Sequence, residues 1–417
     1  MLLALALASD VSYSSIRNAL AAHERGLNTL KGYERATQLE PHDASNWYFL
    51  GRYWQYNLEN PDTGRAILAY GTALSYDPRS ADTWMDLGAA YESESQIADA
   101  RQAFVQAEHD YPLSPEVSWR YGNFLLRQGE LSAALGQIRH AVEVDPVRAA
   151  AAFSLCMRVE PNINAILDGV LPRSQEVYLN IVSTLTAQGK IDQALIVWSR
   201  LAALHPRFSL RESYTFVDAL IERRRMQDAL QVWDEALIFA GIARPPDPPG
   251  SLVWDGGFES EVKGGGFAWR YPSFVSGVQI NLDQKEKHNG NRSLRLTFGG
   301  LENVDFSDVC QIIVVQPSTA YRFSAWVRTQ SLSTDQGVRF GLHSISDSQN
   351  STAWTDDLHG TNPWTNVSLP WTAGKEVGEM QLCVRRLPSA QFENKIFGSA
   401  WIDDVVLVPE SPENTGR

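Results

Sequence analysis

The spacing of apolar residues changes near residue 245 of this 417-residue chain. Before that point, apolar side chains recur every three to four residues, as on a helix with one buried face. After it, segments such as 293–298 and 321–328 alternate between apolar and polar residues, as half-buried strands do. The pattern therefore predicts an all-α part followed by an all-β part.

The helical part contains a sequence repeat, because Pro78, Pro112 and Pro146 lie 34 residues apart. The unit that ends at Pro112 has apolar or small residues at Trp84, Leu87, Gly88, Tyr91, Ala100, Phe104 and Ala107. These positions form one stripe on each of two helices, and a lone helix pair cannot bury such stripes. About six helical hairpins are therefore predicted to stack into a superhelix over residues 13–242, with an irregular unit at 147–172.

This unit closely resembles the tetratricopeptide repeat. The resemblance implies a groove, lined by the first helix of each hairpin, that holds a protein or peptide partner. Polar residues at non-signature positions of the first helices are the candidates for that groove: Arg52, Gln55, Asn123 and Arg127. The alternative for each of them is ordinary surface.

A proline-rich segment at 243–250 interrupts the helical pattern and favours an extended spacer. Residues 251–410 are predicted to form eight to ten short strands, including one at 252–258, separated by Gly, Asn, Ser and Pro turns. A domain of this kind indicates a jelly-roll β-sandwich. The triple glycine at 264–266 is interpreted as a flexible turn.

The order of motifs in the β part is similar to that of galactose-binding-like carbohydrate-binding modules of the family 4/9/22 type. The motifs are the opening 254–259, the turn and strand at 288–296, the strand at 321–328 and the closing 401–405. This resemblance implies that the domain binds an oligo- or polysaccharide.

The same resemblance implies a structural Ca²⁺ where the first and last strands meet. Glu259 and either Asp403 or Asp404 would then be ligands, and calcium prefers such oxygen ligands. The alternative is that these carboxylates accept hydrogen bonds from nearby backbone and hold no metal.

Glycan binding needs aromatic faces and planar polar side chains. Alternation along 321–328 places Trp326 and Arg328 opposite the apolar set, and we expect polar residues of neighbouring strands to join them. The candidates on the sheet are Trp326, Arg328, Arg339, His343, Gln381 and Arg385, with Trp354 (in a loop), Trp269 and Tyr271 as rim platforms. The alternative for the aromatic residues is packing in the core.

The net charge and the lack of catalytic motifs limit the classes of function that the sequence supports. The chain has 36 basic and 49 acidic residues, a net charge of −13, and therefore no basic footprint for nucleic acid. The sequence has no Walker loop, nucleophile elbow or HExxH motif, and no strand that carries paired catalytic carboxylates. A non-catalytic protein is predicted.

Three cysteines are too few for a disulfide-dense scaffold. For Cys310 and Cys383, two buried free thiols are favoured over a bridge, and the compartment cannot be inferred from them. The apolar opening at 1–12 is interpreted as the remnant of a secretory leader or as a frayed helix, because a bilayer span takes roughly 20 residues. No transmembrane span is predicted, and residues 411–417 are interpreted as a tail.

These observations favour an adaptor, placed in the periplasm or outside the cell, whose repeats bind a protein and whose sandwich binds a glycan. Assembly of a bacterial envelope or exopolysaccharide is the expected context, and a cytoplasmic location stays open. One alternative is a structural interaction protein whose sandwich binds no sugar. A glycan-processing enzyme is the other.

Overall fold

The computed structural model describes residues 2–344, 352–375 and 378–410, with side chains from Tyr13 onward. The segment 1–12, interpreted as a leader or a frayed helix, has no described side chains. The predicted tail at 411–417 lies outside the described residues. None of the described helices combines the length and apolarity of a membrane span. The chain divides into two compact units, residues 1–181 and 182–417.

Fourteen α-helices come before the first strand in the described part of the chain. Their bounds are α1 Leu2–Gly26, α2 Leu30–Leu39, α3 Ala44–Tyr56, α4 Thr63–Tyr76, α5 Ala81–Ser93, α6 Ile97–Asp110, α7 Pro115–Arg127, α8 Leu131–Val144, α9 Ala149–Cys156, α10 Ile163–Gly169, α11 Gln175–Ala187, α12 Ile191–Ala202, α13 Arg211–Glu222 and α14 Met226–Ala240. The short helices α9 and α10 occupy the stretch where the repeat signature is lost. No helix or strand includes the proline segment at 243–250.

Side chains placed just before the helices fix where several of them begin. The Asp62 carboxylate accepts a hydrogen bond from the Arg65 amide at 2.9 Å. The Ser114 hydroxyl accepts one from the Val117 amide at 3.3 Å, and Pro115 occupies the first position of α7. Such caps satisfy amide groups that have no partner within the helix.

The small residues of the repeat let paired helices approach closely. A Cβ atom at Gly88 would lie 2.9 Å from a ring carbon of Phe104, which leaves room only for glycine between α5 and α6. Phe104 is buried, and its ring centroid lies 5.8 Å from that of Tyr121 and 5.1 Å from that of Phe124. The signature positions are therefore the core of this part of the chain.

In the described part of the chain, ten strands form the predicted β-sandwich of two antiparallel sheets. Their bounds are β1 Phe274–Val275, β2 Val278–Asp283, β3 Ser293–Gly299, β4 Phe306–Val314, β5 Ala320–Leu332, β6 Arg339–Ser344, β7 Thr352–Trp354, β8 Gly360–Thr372, β9 Glu379–Arg386 and β10 Phe397–Pro409. One sheet has the order β1-β2-β3-β10-β5-β8 and the other the order β4-β9-β6-β7. Apolar side chains of both sheets form one core, as where Phe323 and Phe340 meet at 4.9 Å between centroids.

The strand expected at 252–258 does not form. Asp255 and Phe258 both have a φ of 55°, which breaks an extended strand. The Asp255 carboxylate accepts hydrogen bonds from the amides of Glu259 and Ser260 at 2.6 and 3.0 Å. The segment is therefore a turn wound around this carboxylate.

Cys310 and Cys383 form a disulfide, so the expectation of two free thiols is wrong. The two residues lie directly opposite each other on β4 and β9, with 4.2 Å between their Cα atoms. This spacing is that of a pair without backbone hydrogen bonds, in which facing side chains come closest. Cys156 is a buried free cysteine.

The helices α13 and α14 pack on the sandwich within the unit 182–417. The Trp233 ring contacts Gly266 and lies 5.7 Å from the Trp254 ring. Asp218 of α13 accepts hydrogen bonds from the Gly266 amide at 2.9 Å and from Arg270 at 2.6 Å. The triple glycine is therefore a packed contact with the helices, where a flexible turn was expected.

We expect Phe104→Ala to lower the free energy of unfolding by about 3–5 kcal/mol, because the change opens a cavity in the repeat core. Urea unfolding of the full chain, followed by circular dichroism at the helical signal, measures this loss. The matched control is Val105→Ala on the same helix, where the side chain is 46% exposed and the cost should stay below about 0.5 kcal/mol. Equal losses in the two variants would contradict the assignment of the core.

Candidate functional site

Five of the predicted glycan-binding residues lie together on the outer face of the four-stranded sheet. Arg339 pairs with Arg385 and His343 pairs with Gln381 across β6 and β9, and Trp354 lies on the adjoining strand β7. The alternate residues along these two strands, Phe340, Leu342, Leu382 and Val384, are buried in the core. Alternation along three strands thus brings these five side chains to one surface.

The Trp354 indole packs over Gly341 on this surface. Trp354 is paired with Gly341, where a Cβ atom would lie 2.6 Å from the indole ring. The side chain is 38% exposed, and the Arg385 guanidinium lies 5.9 Å from the ring centroid. The glycine therefore gives the indole a seat against the backbone while part of the ring stays open to solvent.

Ion pairs hold the two arginines of this face in place. Arg339 pairs with Asp357 at 3.1 Å, and Arg385 pairs with Asp305 at 3.1 Å. Each guanidinium is thereby oriented while some of its donors remain available. Gly341 and Asp305 escaped the sequence analysis, because only the strand register shows which residues they adjoin.

The disulfide is part of the same face. Gly341 pairs with Cys383, which is bonded to Cys310, so one row across the sheet consists of Cys310, Cys383, Gly341 and Trp354. The rows to either side carry the polar side chains. The end of the face near Glu379 is approached by Arg224 from the α13–α14 turn, at 3.7 Å.

Trp326 and Arg328 lie on β5, which belongs to the other sheet, so the expectation that they adjoin β6 and β9 is wrong. Trp326 stacks on His288 with 4.0 Å between ring centroids. Arg328 pairs with Glu286 at 2.5 Å and lies over the Trp401 ring. The strand neighbours of β5 are β10 and β8, a pairing that periodicity alone does not define.

Trp269 cannot be a rim platform, because only 1% of its surface is exposed. Its ring stacks on Phe258 at 5.1 Å, and its indole N–H donates to the Asp255 carbonyl at 3.0 Å. Tyr271 is half-buried, and burial raises its pKa to about 12. Lys263 lies over the Tyr271 ring, so the expected platform is covered on that side.

The predicted calcium ligands accept hydrogen bonds from backbone amides. Glu259 accepts from the amides of Asn291 and Arg292 at 2.6 and 3.3 Å. Asp403 accepts from the amides of His288 and Asn289 at 2.8 and 3.1 Å. These are the contacts expected from the alternative, in which the carboxylates accept hydrogen bonds from nearby backbone.

Asp404 contacts His288 at 2.6 Å, and it lines one small cavity together with Glu259 and Asp403. Among the described residues, no group of three or more His, Cys, Asp or Glu side chains is arranged to hold a metal ion. Calcium binding at Glu259, Asp403 and Asp404 stays a prediction.

The first helices of the repeats carry a polar cluster centred on the buried carboxylate of Asp86. Asp86 pairs with Arg120 at 2.8 Å and with Arg52 at 3.7 Å, and it accepts a hydrogen bond from the Tyr48 hydroxyl at 3.1 Å. Gln55 donates to the Asp86 carbonyl at 3.4 Å. Burial, with the Asp86 charge as the second cause, raises the pKa of Tyr48.

Two of the four groove candidates, Arg52 and Gln55, therefore join one cluster on α3, α5 and α7. Asn123 instead donates to the Trp119 carbonyl of its own helix at 2.8 Å, and Arg127 binds both carboxylate oxygens of Glu92 at 2.7 Å. The sequence analysis missed Asp86 and Arg120, because a buried acid on a helix gives no signal in the repeat signature.

Comparison with known families agrees with both resemblances. Residues 250–388 match the family model described as "Carbohydrate binding domain". Residues 56–115 and 90–148 match the model described as "Tetratricopeptide repeat". The two predicted resemblances are confirmed for these parts of the chain, and neither matched family is catalytic.

Individual relatives are distant. Protein bimA of Emericella nidulans is 27% identical over 99 residues, which are 24% of this chain and only 12% of bimA. The structure of a family 16 carbohydrate-binding module is 17% identical with a TM-score of 0.28, covering 38% of this chain and 99% of the module. YrrB, described as a TPR protein with an unusual peptide-binding site, is 16% identical with a TM-score of 0.27, covering 51% of this chain and 94% of YrrB.

Burial raises the pKa of Asp403 to about 6, although three amides donate to its carboxylate. Because this folded-state pKa lies above the unfolded value of 3.8, the folded protein holds a proton that the unfolded chain releases. The contribution of Asp403 to stability is therefore present below the unfolded pKa and is lost as the pH rises through 6.

We expect the melting temperature of the sandwich to fall between pH 5 and pH 7, and the fall to be smaller in Asp403→Asn. Differential scanning calorimetry across this range measures both. Asp308→Asn, an exposed position on β4, is the control and should keep the wild-type pH profile. If the melting temperatures of Asp403→Asn and of the wild type depend on pH in the same way, Asp403 does not titrate in this range.

Proposed function

We propose that the protein is a non-catalytic adaptor whose repeats bind a protein or peptide and whose sandwich binds a glycan. The observation that carries the glycan half is the open Trp354 indole seated on Gly341, with oriented guanidinium groups beside it. An aromatic face packs against the C–H side of a sugar ring, and planar donors bind neighbouring hydroxyl groups. This face combines both kinds of group.

The extent of the face favours an oligo- or polysaccharide over a single sugar. Neighbouring strands lie about 4.8 Å apart, so the row from Cys310 to Trp354 across four strands spans about 14 Å. Arg224 bounds the face at the end near Glu379. The part of the face that stays open to a ligand therefore contains Trp354, Arg339 and Arg385.

The repeat half of the proposal rests on the Asp86 cluster. Arg52 and Arg120 come from different hairpins, and their charges are partly neutralised by one buried carboxylate. The result is a surface of oriented donors on the first helices, of the kind that binds the polar backbone of a peptide. The proposed partner is a protein or peptide.

We also propose an extracytoplasmic location, in the assembly of a bacterial envelope or exopolysaccharide. The disulfide supports this, because such bonds persist in oxidising compartments and are rare in the reducing cytosol. The rival function is a structural protein whose sandwich binds no sugar. The contact of Arg224 with Glu379, which covers one end of the face, favours that rival.

We expect Trp354→Ala to weaken glycan binding at least about tenfold, since that factor corresponds to about 1.4 kcal/mol and an aromatic contact contributes more. A glycan array followed by affinity gels with the polysaccharides that bind measures the change. The matched control is Trp326→Ala on the opposite sheet, which should bind as the wild type does. A wild-type protein that binds no polysaccharide, with or without calcium, would favour the structural rival.

The calcium hypothesis makes a separate prediction. Calcium at about 100 times its Kd would stabilise the sandwich by about 2.7 kcal/mol relative to a chelator. Glu259→Gln would remove this difference, while Glu261→Gln, an exposed neighbour, would keep it. Thermal unfolding with calcium and with EGTA tests this, and equal melting temperatures in the wild type would exclude calcium from the fold.

A further inference from the structure

A groove of about 780 Å³ lies between helix α14 and the end of strand β4, within the unit 182–417. Its walls are mostly apolar and include Met226, Leu230, Trp233, Trp254, Ile312 and Val314. Of its charged side chains, Asp234 and Arg244 are paired with each other at 2.7 Å, and Asp247 accepts hydrogen bonds from the amides of Asp255 and Gly256. The groove therefore presents mainly apolar surface, and the charges of Asp234 and Arg244 neutralise each other.

One wall of the groove is the edge of a sheet, because β4 is the first strand in the order β4-β9-β6-β7. Cys310 directs its backbone amide and carbonyl away from β9, to Arg270, at 3.0 and 2.8 Å. Backbone direction alternates along an antiparallel strand, so Ile312 and Val314 also direct their amides and carbonyls away from β9. Among the described residues, these four groups take part in no backbone–backbone hydrogen bond.

A side chain in the groove also lacks a partner. Trp254 is 6% exposed, and its backbone is clamped by the Gln311 side chain through hydrogen bonds of 3.0 and 2.8 Å. Its indole N–H is buried and finds no acceptor within the described part of the chain. A buried donor without an acceptor destabilises the fold, and a ligand with a carbonyl group would offset that cost.

We propose that this groove binds an extended peptide segment of another protein, which adds as a strand beside β4. An unpaired strand edge is matched by the backbone of an extended chain, whose amides and carbonyls have the same spacing. Side chains on one side of that strand would be apolar, because they would pack against α14 at Leu230 and Trp233. A glycan or a lipid tail would leave the regular donors and acceptors of β4 unmatched.

This site is distinct from the Asp86 cluster, and it does not depend on the proposed glycan face. The probe is a phage-displayed library of random linear peptides, panned against the full chain. Enriched peptides are then synthesised with a fluorescent label, and their affinities are measured by anisotropy. We expect enriched peptides with apolar residues at alternate positions.

Three variants test the location. Val314→Pro removes an outward amide without removing a bond to β9, Leu230→Arg fills the groove, and Trp254→Phe removes the indole N–H. Each should weaken peptide binding about tenfold, the equivalent of one main-chain hydrogen bond or apolar contact. Leu301→Arg, at a position 78% exposed and outside the groove, is the matched control and should bind as the wild type does.

Circular dichroism checks that each variant folds. If Val314→Pro does not fold, Leu230→Arg and Trp254→Phe still test the location of the site. The proposal is overturned if no peptide is enriched, or if the enriched peptides bind the groove variants and the wild type equally. Light scattering tests a second copy of the chain as the occupant. Self-association that the groove variants abolish would assign the groove to that copy and overturn the peptide proposal.

Discussion

The register of β4 against β9 sets the chemistry of the four-stranded sheet. Because Cys310 faces Cys383 in a pair without backbone hydrogen bonds, the two sulfur atoms meet on the outer face. The same register turns the backbone of Cys310 toward Arg270, and those of Ile312 and Val314 toward the groove. A shift by one residue would move every one of these side chains to the opposite face of the sheet.

The disulfide therefore fixes the sheet at one of its edge strands. β4 lacks a strand partner on the side away from β9, apart from the single bridge to Arg270. Edge strands are prone to slip or to pair with other chains. A covalent bond to β9 at the middle of β4 prevents slippage while leaving the outer edge free.

Sequence periodicity predicts the features that depend on neighbours along the chain. Gly88 and Phe104 belong to the repeat core as expected, since a helical stripe defines which side chains are buried. Likewise, alternation places Arg339 and His343 on one face of β6. These predictions required no knowledge of which elements pair.

Features that depend on distant pairing could not be predicted in this way. Trp326 was expected near Arg339, but β5 pairs with β10 and β8, and strand order is set by the packing of the whole sandwich. Trp269 was expected at the rim, and it is buried because Asp255 turns the preceding segment back toward the core. The sequence of the triple glycine at 264–266 does not indicate its contact with Trp233.

The contact between Trp233 and the triple glycine belongs to a helical hairpin that borders both the groove and the glycan face. Trp233 packs on Gly266 and lines the groove, while Arg224, at the start of the same hairpin turn, reaches Glu379 at the end of the glycan face. Asp218 secures the hairpin through Gly266 and Arg270. One helical hairpin thus forms a wall of the peptide groove and a boundary of the glycan face. Leu230 belongs to the wall and Arg224 to the boundary, so substitutions at these two positions separate the two surfaces.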